Sequence, residues 1–130
     1  MKKVYFEKEA RAIMIEGVNI AANAIGSTLG PAGKTVVISP GYGHAPIMSK
    51  DGVTVASSIM LEDELQNTGV MIVRGASEAT VKDCGDGTTT AAVLAQSMIV
   101  AGCKAVDEGA NSREIKSGIE KAVVCIVNAF

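Results

Sequence analysis

Tryptophan is absent from this sequence, and the other aromatic residues are scarce. The 130 residues include two Phe, two Tyr and one His, whereas Ala, Val and Ile together supply 45 and glycine supplies 14. Small apolar side chains bury little area each, so a core of this composition needs many close helix contacts or packing against further chain. The apolar content of 48% excludes intrinsic disorder.

A strong excess of charge of either sign is also missing. The formal net charge is −2, and because nucleic-acid binding needs a basic face, no nucleic-acid partner is predicted. The longest uninterrupted apolar run is 122–127, far short of the roughly 18 residues that span a membrane. The charged first eleven residues contain no signal-peptide core. We therefore predict a cytoplasmic protein without a membrane partner.

Cysteine usage points to the same compartment. Cys84, Cys103 and Cys125 are odd in number and lie 19 and 22 positions apart, which fits neither a disulfide framework nor a zinc-binding spacing. We predict reduced thiols. His44 stands alone in a turn-rich segment and is interpreted as a solvated loop residue rather than a metal ligand.

Apolar periodicity predicts four helices and one short hairpin. Three helices cover about 7–27, 65–84 and 88–108, and the stripe of the third includes Leu94 and Met98. A fourth follows Asn111, a candidate N-cap, while Gly109 before it is a candidate C′ residue. The β-branched run 35–38 and the run 47–49 flank the turn-rich segment SPGYGHAP. The predicted fold class is mainly α, a helical bundle with a small β-hairpin.

The last helix becomes apolar nearly all round at KAVVCIVNAF, where the sequence stops without a capping residue. We therefore expect residues 1–130 to be an incomplete domain rather than a whole one.

The segment GDGTTT at 85–90 is the strongest candidate for chemistry. Its glycines allow close approach of a ligand to the backbone, and the free N–H groups of a following helix suit a phosphate. Asp86 is a hard oxygen ligand suited to Mg²⁺ on phosphate oxygens. The alternative reading is a plain turn in which an aspartate caps a helix, and the segment alone does not exclude it.

Two further glycine turns precede this one. TLGPAGKT at 28–35 lacks the first glycine of a phosphate-binding P-loop and follows a helix instead of a strand, so that reading is rejected. It keeps a glycine turn whose backbone can approach a nucleotide. In the turn at 50–52, Lys50 could neutralise phosphate and Asp51 could position water or a metal, although such a turn alone indicates little.

Together, the three turns resemble the N-terminal part of the equatorial domain of a GroEL-type (group I) chaperonin. The similar stretches are TLGPAGKTVVI at 28–38, SKDGVTVA at 49–56, LEDELQNTG at 61–69, GDGTTTAAVLAQ at 85–96 and the flanking 104–123. The lysine of KDG favours the bacterial and organellar group. The resemblance implies that Lys50 contributes to the phosphate and cation site, that Asp51 lies near the γ-phosphate and that Asp86 binds Mg²⁺. The implied ATP-binding residues are Thr28, Leu29, Gly30, Pro31, Lys50, Asp86, Gly87, Thr88, Thr89 and Thr90.

The resemblance also implies a function and a set of partners. Intact subunits of this family form a double ring, hydrolyse ATP with Mg²⁺ and K⁺, and assist the folding of unfolded client proteins with a cochaperonin. The hairpin would pair with terminal strands of a neighbouring subunit. The apical, intermediate and C-terminal equatorial parts, which include the main catalytic aspartate, would lie outside these 130 residues, so we expect this segment alone to be inactive as an ATPase.

Two alternatives remain at this point. One is a standalone truncated chaperonin paralog that acts as a non-catalytic interaction module, and the other is an unrelated nucleotide-binding helical module.

Overall fold

The computed structural model describes residues 4–39 and 41–130, and Pro40 in the hairpin tip lies outside the described residues. The elements in chain order are α1 (Glu7–Gly26), β1 (Val36–Ile38), β2 (Ile47–Ser49), α2 (Gly52–Ser58), α3 (Glu64–Cys84), α4 (Thr88–Asp107) and α5 (Ser112–Ala129). The predicted mainly helical architecture with one small hairpin is confirmed. The sequence patterns missed α2, because seven residues are too short to show helical periodicity.

The chain divides into two compact units, 1–97 and 98–130. The core of the first unit contains mostly small side chains from four helices, as the composition indicated. Its buried apolar residues are Val18, Ala21, Ala22, Ile25, Val55, Ala56, Val70, Val73, Ala92 and Ala95. Because these side chains are small, the helix backbones can approach closely.

Such a close approach of two helix backbones occurs between α1 and α3. Gly17 of α1 lies against the backbone carbonyl of Gln66, and Gly69 of α3 lies against that of Met14. Neither position leaves room for a Cβ atom. Two glycines therefore set the spacing of the two longest helices in the first unit.

The hairpin of the first unit is antiparallel and two-stranded. Val36 pairs with Ser49, Val37 with Met48 and Ile38 with Ile47, which confirms the predicted strands. Val37 and Met48 are exposed, so one face of this hairpin has no cover in the described part of the chain.

Arg74 of α3 fixes the end of α2. Its Nε donates to the carbonyl of Ala56 at 3.0 Å, and its Nη2 donates to those of Ser57 and Ile59 at 2.7 and 3.0 Å. The last carbonyls of a helix have no partner within it. A single guanidinium therefore satisfies the end of this short helix.

The second unit contains the C-terminal half of α4 and all of α5. Gly109 has a φ of 100°, and the N–H of Ala110 bonds the carbonyl of Ala105 at 2.9 Å, as in a glycine-terminated helix. Asn111 then caps α5 through its side chain, which accepts from the N–H of Arg113 at 2.9 Å. Both predicted end signals are confirmed.

Apolar side chains of the second unit line a groove of about 360 Å³ between these helices. The lining includes Met98, Ile99, Val106, Ile115 and Ile119. In contrast, α5 contains no buried residue. The predicted stripe of α4 is confirmed at Ala95, which is buried, but was wrong at Leu94, which is 57% exposed, and it left out the buried Ala92.

By length and composition alone, α4 is apolar enough to cross a membrane. The core helix of a folded soluble protein meets the same criterion, so this one helix is weak support for a membrane span. The expectation that the protein has no membrane partner stays a prediction.

Candidate functional site

A cavity of about 150 Å³ lies in the first unit, where the turn after α1 meets the start of α4. The two segments are far apart in sequence, yet the hydroxyls of Thr28 and Thr89 lie 3.5 Å from each other. The lining consists of predicted site residues: Thr28, Leu29, Gly30, Asp86, Gly87, Thr88, Thr89 and Thr90. The fold therefore brings two of the three glycine turns to one place.

The turn after α1 forms the first wall. The hydroxyl of Thr28 donates to the carbonyl of Ile25 at 2.7 Å, which ties the turn to the last part of α1. Gly30 has a φ of 77°, a left-handed conformation that glycine adopts without strain. The N–H of Gly33 bonds the carbonyl of Gly30 at 2.9 Å and closes a second turn. The chain thus turns tightly beside the cavity.

The loop between α3 and α4 forms the second wall. Gly85 and Gly87 have φ values of 75° and 83°, and the carboxylate of Asp86 accepts from the N–H of Gly87 at 2.7 Å. In the first turn of α4, the N–H groups of residues 88–90 have no carbonyl acceptor within the helix. These donors, the positive end of the helix dipole and three hydroxyl groups together make an environment that favours an anion.

The side chains available as ligands limit how a metal ion could bind at this cavity. Among the described residues, no group of three or more His, Cys, Asp and Glu side chains is arranged to hold a metal ion. Asp86 alone could therefore bind a cation only if other ligands came from a bound molecule or water. Mg²⁺ in phosphate sites is commonly held in this way, by one or two carboxylates together with substrate oxygens.

The third predicted turn lies next to the cavity but not in its described lining. Gly52 at the start of α2 approaches Thr89 so closely that a Cβ atom there would lie 2.6 Å from the Thr89 hydroxyl. Lys50 and Asp51 are exposed just before it, and Pro31 is exposed beyond Gly30. Lys50, Asp51 and Pro31 are thus chain neighbours of residues that border the cavity but are not part of its described lining, and their predicted roles stay predictions.

Asp51 is the N-cap of α2. Its carboxylate accepts from the hydroxyl of Thr54 at 2.6 Å and from the N–H groups of Thr54 and Val53 at 2.9 and 3.4 Å. The Thr54 hydroxyl, followed by its N–H group, holds the pKa of Asp51 below its usual value of 3.8.

This lowered pKa predicts a pH-dependent stability. The charged form of Asp51 is favoured in the folded state, so its stabilising effect is complete above pH 3.8 and is lost as the pH falls through the lower folded-state pKa. At pH 7, Asp51→Asn is expected to lower the free energy of unfolding by about 0.5 kcal/mol. Denaturant titrations at pH 7 and pH 3 should show the difference from wild type shrinking at pH 3. Glu62→Gln, which removes an exposed loop carboxylate, is the charge-matched control. A constant difference at both pH values would contradict the prediction.

Sequence reasoning missed two neighbours of the cavity. Gly52 was noted only as part of a turn, although its lack of a side chain lets α2 approach α4. Ser77 was not noted at all, yet it is fully buried and its hydroxyl donates to the carbonyl of Thr88 at 3.2 Å. A serine among Val70 and Val73 on the apolar face of α3 was the available signal.

Comparison with known proteins agrees with this arrangement. A sequence profile of the TCP-1/cpn60 chaperonin family matches residues 21–130. The chain belongs to this family. The matched range includes the segments that form both walls of the cavity, so the unrelated nucleotide-binding module is excluded. The resemblance inferred from the three turns is confirmed at the level of the family.

Two solved chaperonin structures are similar to this chaperonin chain. One is the crystal structure of chaperonin gp146 from bacteriophage EL 2 (Pseudomonas aeruginosa) in the presence of ATP-BeFx, with 33% identity, a TM-score of 0.64 and 78% of this chain covered. The other is a group III chaperonin in the open state, with 25% identity, a TM-score of 0.74 and 89% covered. This chain spans only 18% and 22% of those two chains.

Proposed function

We propose that this chain is the ATP-binding segment of a chaperonin subunit and that its cavity holds the phosphates of the nucleotide. The observation that carries the proposal is the meeting of two glycine turns at the Thr28–Thr89 contact, which surrounds one small space with N–H and hydroxyl donors. The gp146 relative, crystallised in the presence of ATP-BeFx, supports a nucleotide as the ligand.

The size of the cavity favours the phosphates over the whole nucleotide. Pockets for complete small-molecule ligands measure roughly 300–1,000 Å³, whereas this one measures about 150 Å³. Contacts to the base and ribose would therefore come from chain beyond these 130 residues. The family resemblance implies that the main catalytic aspartate also lies outside these residues, so this segment is proposed to bind Mg-ATP without hydrolysing it.

Within this proposal, each residue type has one task. The N–H groups and hydroxyls of Thr88, Thr89 and Thr90 donate to phosphate oxygens, while Gly30 and Gly87 keep the walls clear of side chains. Asp86 holds Mg²⁺, which would neutralise charge on the phosphate oxygens when bound. Thr28, Leu29 and Pro31 border the nucleotide. Lys50 and Asp51 lie at the margin, with Lys50 near phosphate and K⁺ and Asp51 near the γ-phosphate.

The finer features of the assembly also belong to the proposal. Lys50 supports group I membership. The two-stranded hairpin, whose outer edges pair with no further strand among the described residues, supports strand pairing with a neighbouring subunit of a double ring. Unfolded client proteins, a cochaperonin and a cytoplasmic location follow from the same resemblance. The second candidate is a truncated paralog that enters chaperonin rings through this hairpin without catalysis.

Replacing Asp86 tests the phosphate site. We expect Asp86→Ala to weaken binding of Mg-ATP by about tenfold, because the carboxylate holds the cation that bridges to the phosphates. Isothermal titration calorimetry on the 130-residue chain measures this change. With ATP and a chelator in place of Mg²⁺, the variant should bind no more weakly than wild type, because the carboxylate then only repels phosphate.

Asp83→Ala is the matched control. Asp83 is an exposed carboxylate three positions earlier, in the last turn of α3 and outside the described cavity lining. It should bind Mg-ATP like wild type. An equal loss of Mg-ATP affinity in both variants would mean that the effect comes from the net charge of the region and not from a specific role of Asp86. Equal binding heats from wild type and Asp86→Ala would exclude the proposed role of Asp86.

A further inference from the structure

Ser77 differs from the other helical hydroxyl groups near it. Thr68, Thr80 and Ser97 each donate to a carbonyl four positions earlier in the same helix. Ser77 instead reaches out of α3 and donates to the carbonyl of Thr88, the first residue of α4. The bond thus joins two helices at Thr88, where the second helix borders the cavity.

Packing alone does not account for this hydroxyl group. Ser77 is 0% exposed and shares its face of α3 with Val70 and Val73. Burial of a hydroxyl among apolar side chains costs free energy unless it is hydrogen-bonded. Alanine would fill the same position without that cost, so the contribution of the serine lies in its bond to Thr88.

The bond acts on a group that faces the cavity. The carbonyl of Thr88 and the N–H of Thr89 belong to one planar trans peptide, in which they point in opposite directions. The N–H of Thr89 lies in the first turn of α4 and has no carbonyl acceptor within the helix. Thr89 itself lines the cavity. Within α4 the carbonyl of Thr88 is also the i−4 acceptor for the N–H of Ala92, so the Ser77 hydroxyl is a second donor on this oxygen. It further restricts the orientation of the peptide and polarises the N–H of Thr89 as a donor.

We propose that Ser77 is a positioning residue for phosphate binding, which acts by orienting the Thr88–Thr89 peptide toward the ligand. This inference rests on the proposed function, since it assumes that the cavity takes the phosphates of ATP. Ser77 does not touch the ligand. Its effect is transmitted through a single backbone group.

The test compares Ser77→Ala with Ser97→Ala in the isotopically labelled 130-residue chain, titrated with Mg-ATP and followed by nuclear magnetic resonance. Ser77→Ala is expected to raise the Kd for Mg-ATP three- to tenfold. Before ligand is added, it should also shift the Thr88 carbonyl ¹³C resonance upfield. Ser97→Ala makes the same chemical change in α4 but removes only a bond to Val93 of the same helix, so it should alter neither quantity. Ser77→Cys, with a weaker donor, should give an intermediate Kd.

The outcomes separate this inference from the proposed function. Saturable binding to wild type with the same Kd in Ser77→Ala would overturn the positioning role, even if the variant were less stable. An unchanged Thr88 carbonyl resonance would also overturn it. Absence of saturable Mg-ATP binding to wild type would overturn the proposed function and this inference with it.

Discussion

Gly69→Ala is expected to lower the free energy of unfolding by about 3 kcal/mol, the largest effect of any substitution considered for this chain. The added Cβ would overlap the backbone carbonyl oxygen of Met14 and lie 2.8 Å from the backbone nitrogen of Val18. A backbone atom cannot rotate away as a side chain can, so α1 and α3 would have to separate. That movement would loosen the core around Val18, Val70 and Val73.

Chemical denaturation followed by circular dichroism measures this loss, and Gly75→Ala provides the control. Gly75 lies in the same helix, where an added Cβ would meet no atom within 4 Å. Because alanine is the better helix former, Gly75→Ala should stabilise the chain by about 0.5–1 kcal/mol. Opposite signs for the two substitutions are the expected result. Equal changes would mean that helix propensity, and not close packing, governs Gly69.

Arg74→Ala is expected to cost about 2 kcal/mol, the second largest effect. The substitution removes three hydrogen bonds from a charged donor to the carbonyls of Ala56, Ser57 and Ile59. Water can reach part of the side chain and replaces some of that loss. The remaining loss of stability affects mainly α2, because this helix has only seven residues and its C-terminal carbonyls depend on these hydrogen bonds.

Amide hydrogen exchange provides a local measurement of this effect. Exchange should accelerate in α2 (Gly52–Ser58) more than in α1. Arg74→Lys keeps the charge but not the planar fork of donors, so we expect it to recover only part of the stability. Arg113→Ala removes an exposed arginine from α5 and should stay within about 0.5 kcal/mol of wild type. Uniform acceleration across the first unit would contradict a specific role at the end of α2.

Much of the secondary structure could be predicted from the sequence, because its signals are local. The strands at 36–38 and 47–49, the cap at Asn111 and the glycine end signal at Gly109 depend on residues within a few positions of each other. Four helices, α1, α3, α4 and α5, were predicted from apolar periodicity. In contrast, α2 has too few residues for that signal, and its end is stabilised by Arg74 from another helix.

The direction of each helix face was less predictable. The stripe of α4 included Leu94, yet Ala92 is buried and Leu94 is exposed. Alanine and glycine provide little contrast in hydrophobicity, so several faces of such a helix look equally apolar. Which one is buried depends on the partner helix, here held by hydrogen bonds from Gln96 to Asn19 and Asn23.

For the candidate site, the residue types and their local backbone could be predicted from the sequence: three glycine turns, a threonine-rich helix start, and one acidic residue suited to a metal. These follow from short-range chemistry, and the motifs that contain them resemble the chaperonin family. Three other features could be seen only in the folded chain. The turn at Thr28 and the loop at Asp86 share one cavity, Gly52 brings the turn at 50–52 beside it, and Ser77 bonds the carbonyl of the first residue of α4. Those relations depend on the spacing between helices. The close backbone contacts at Gly17 and Gly69 set the spacing of α1 and α3, and they join residues that are far apart in the sequence.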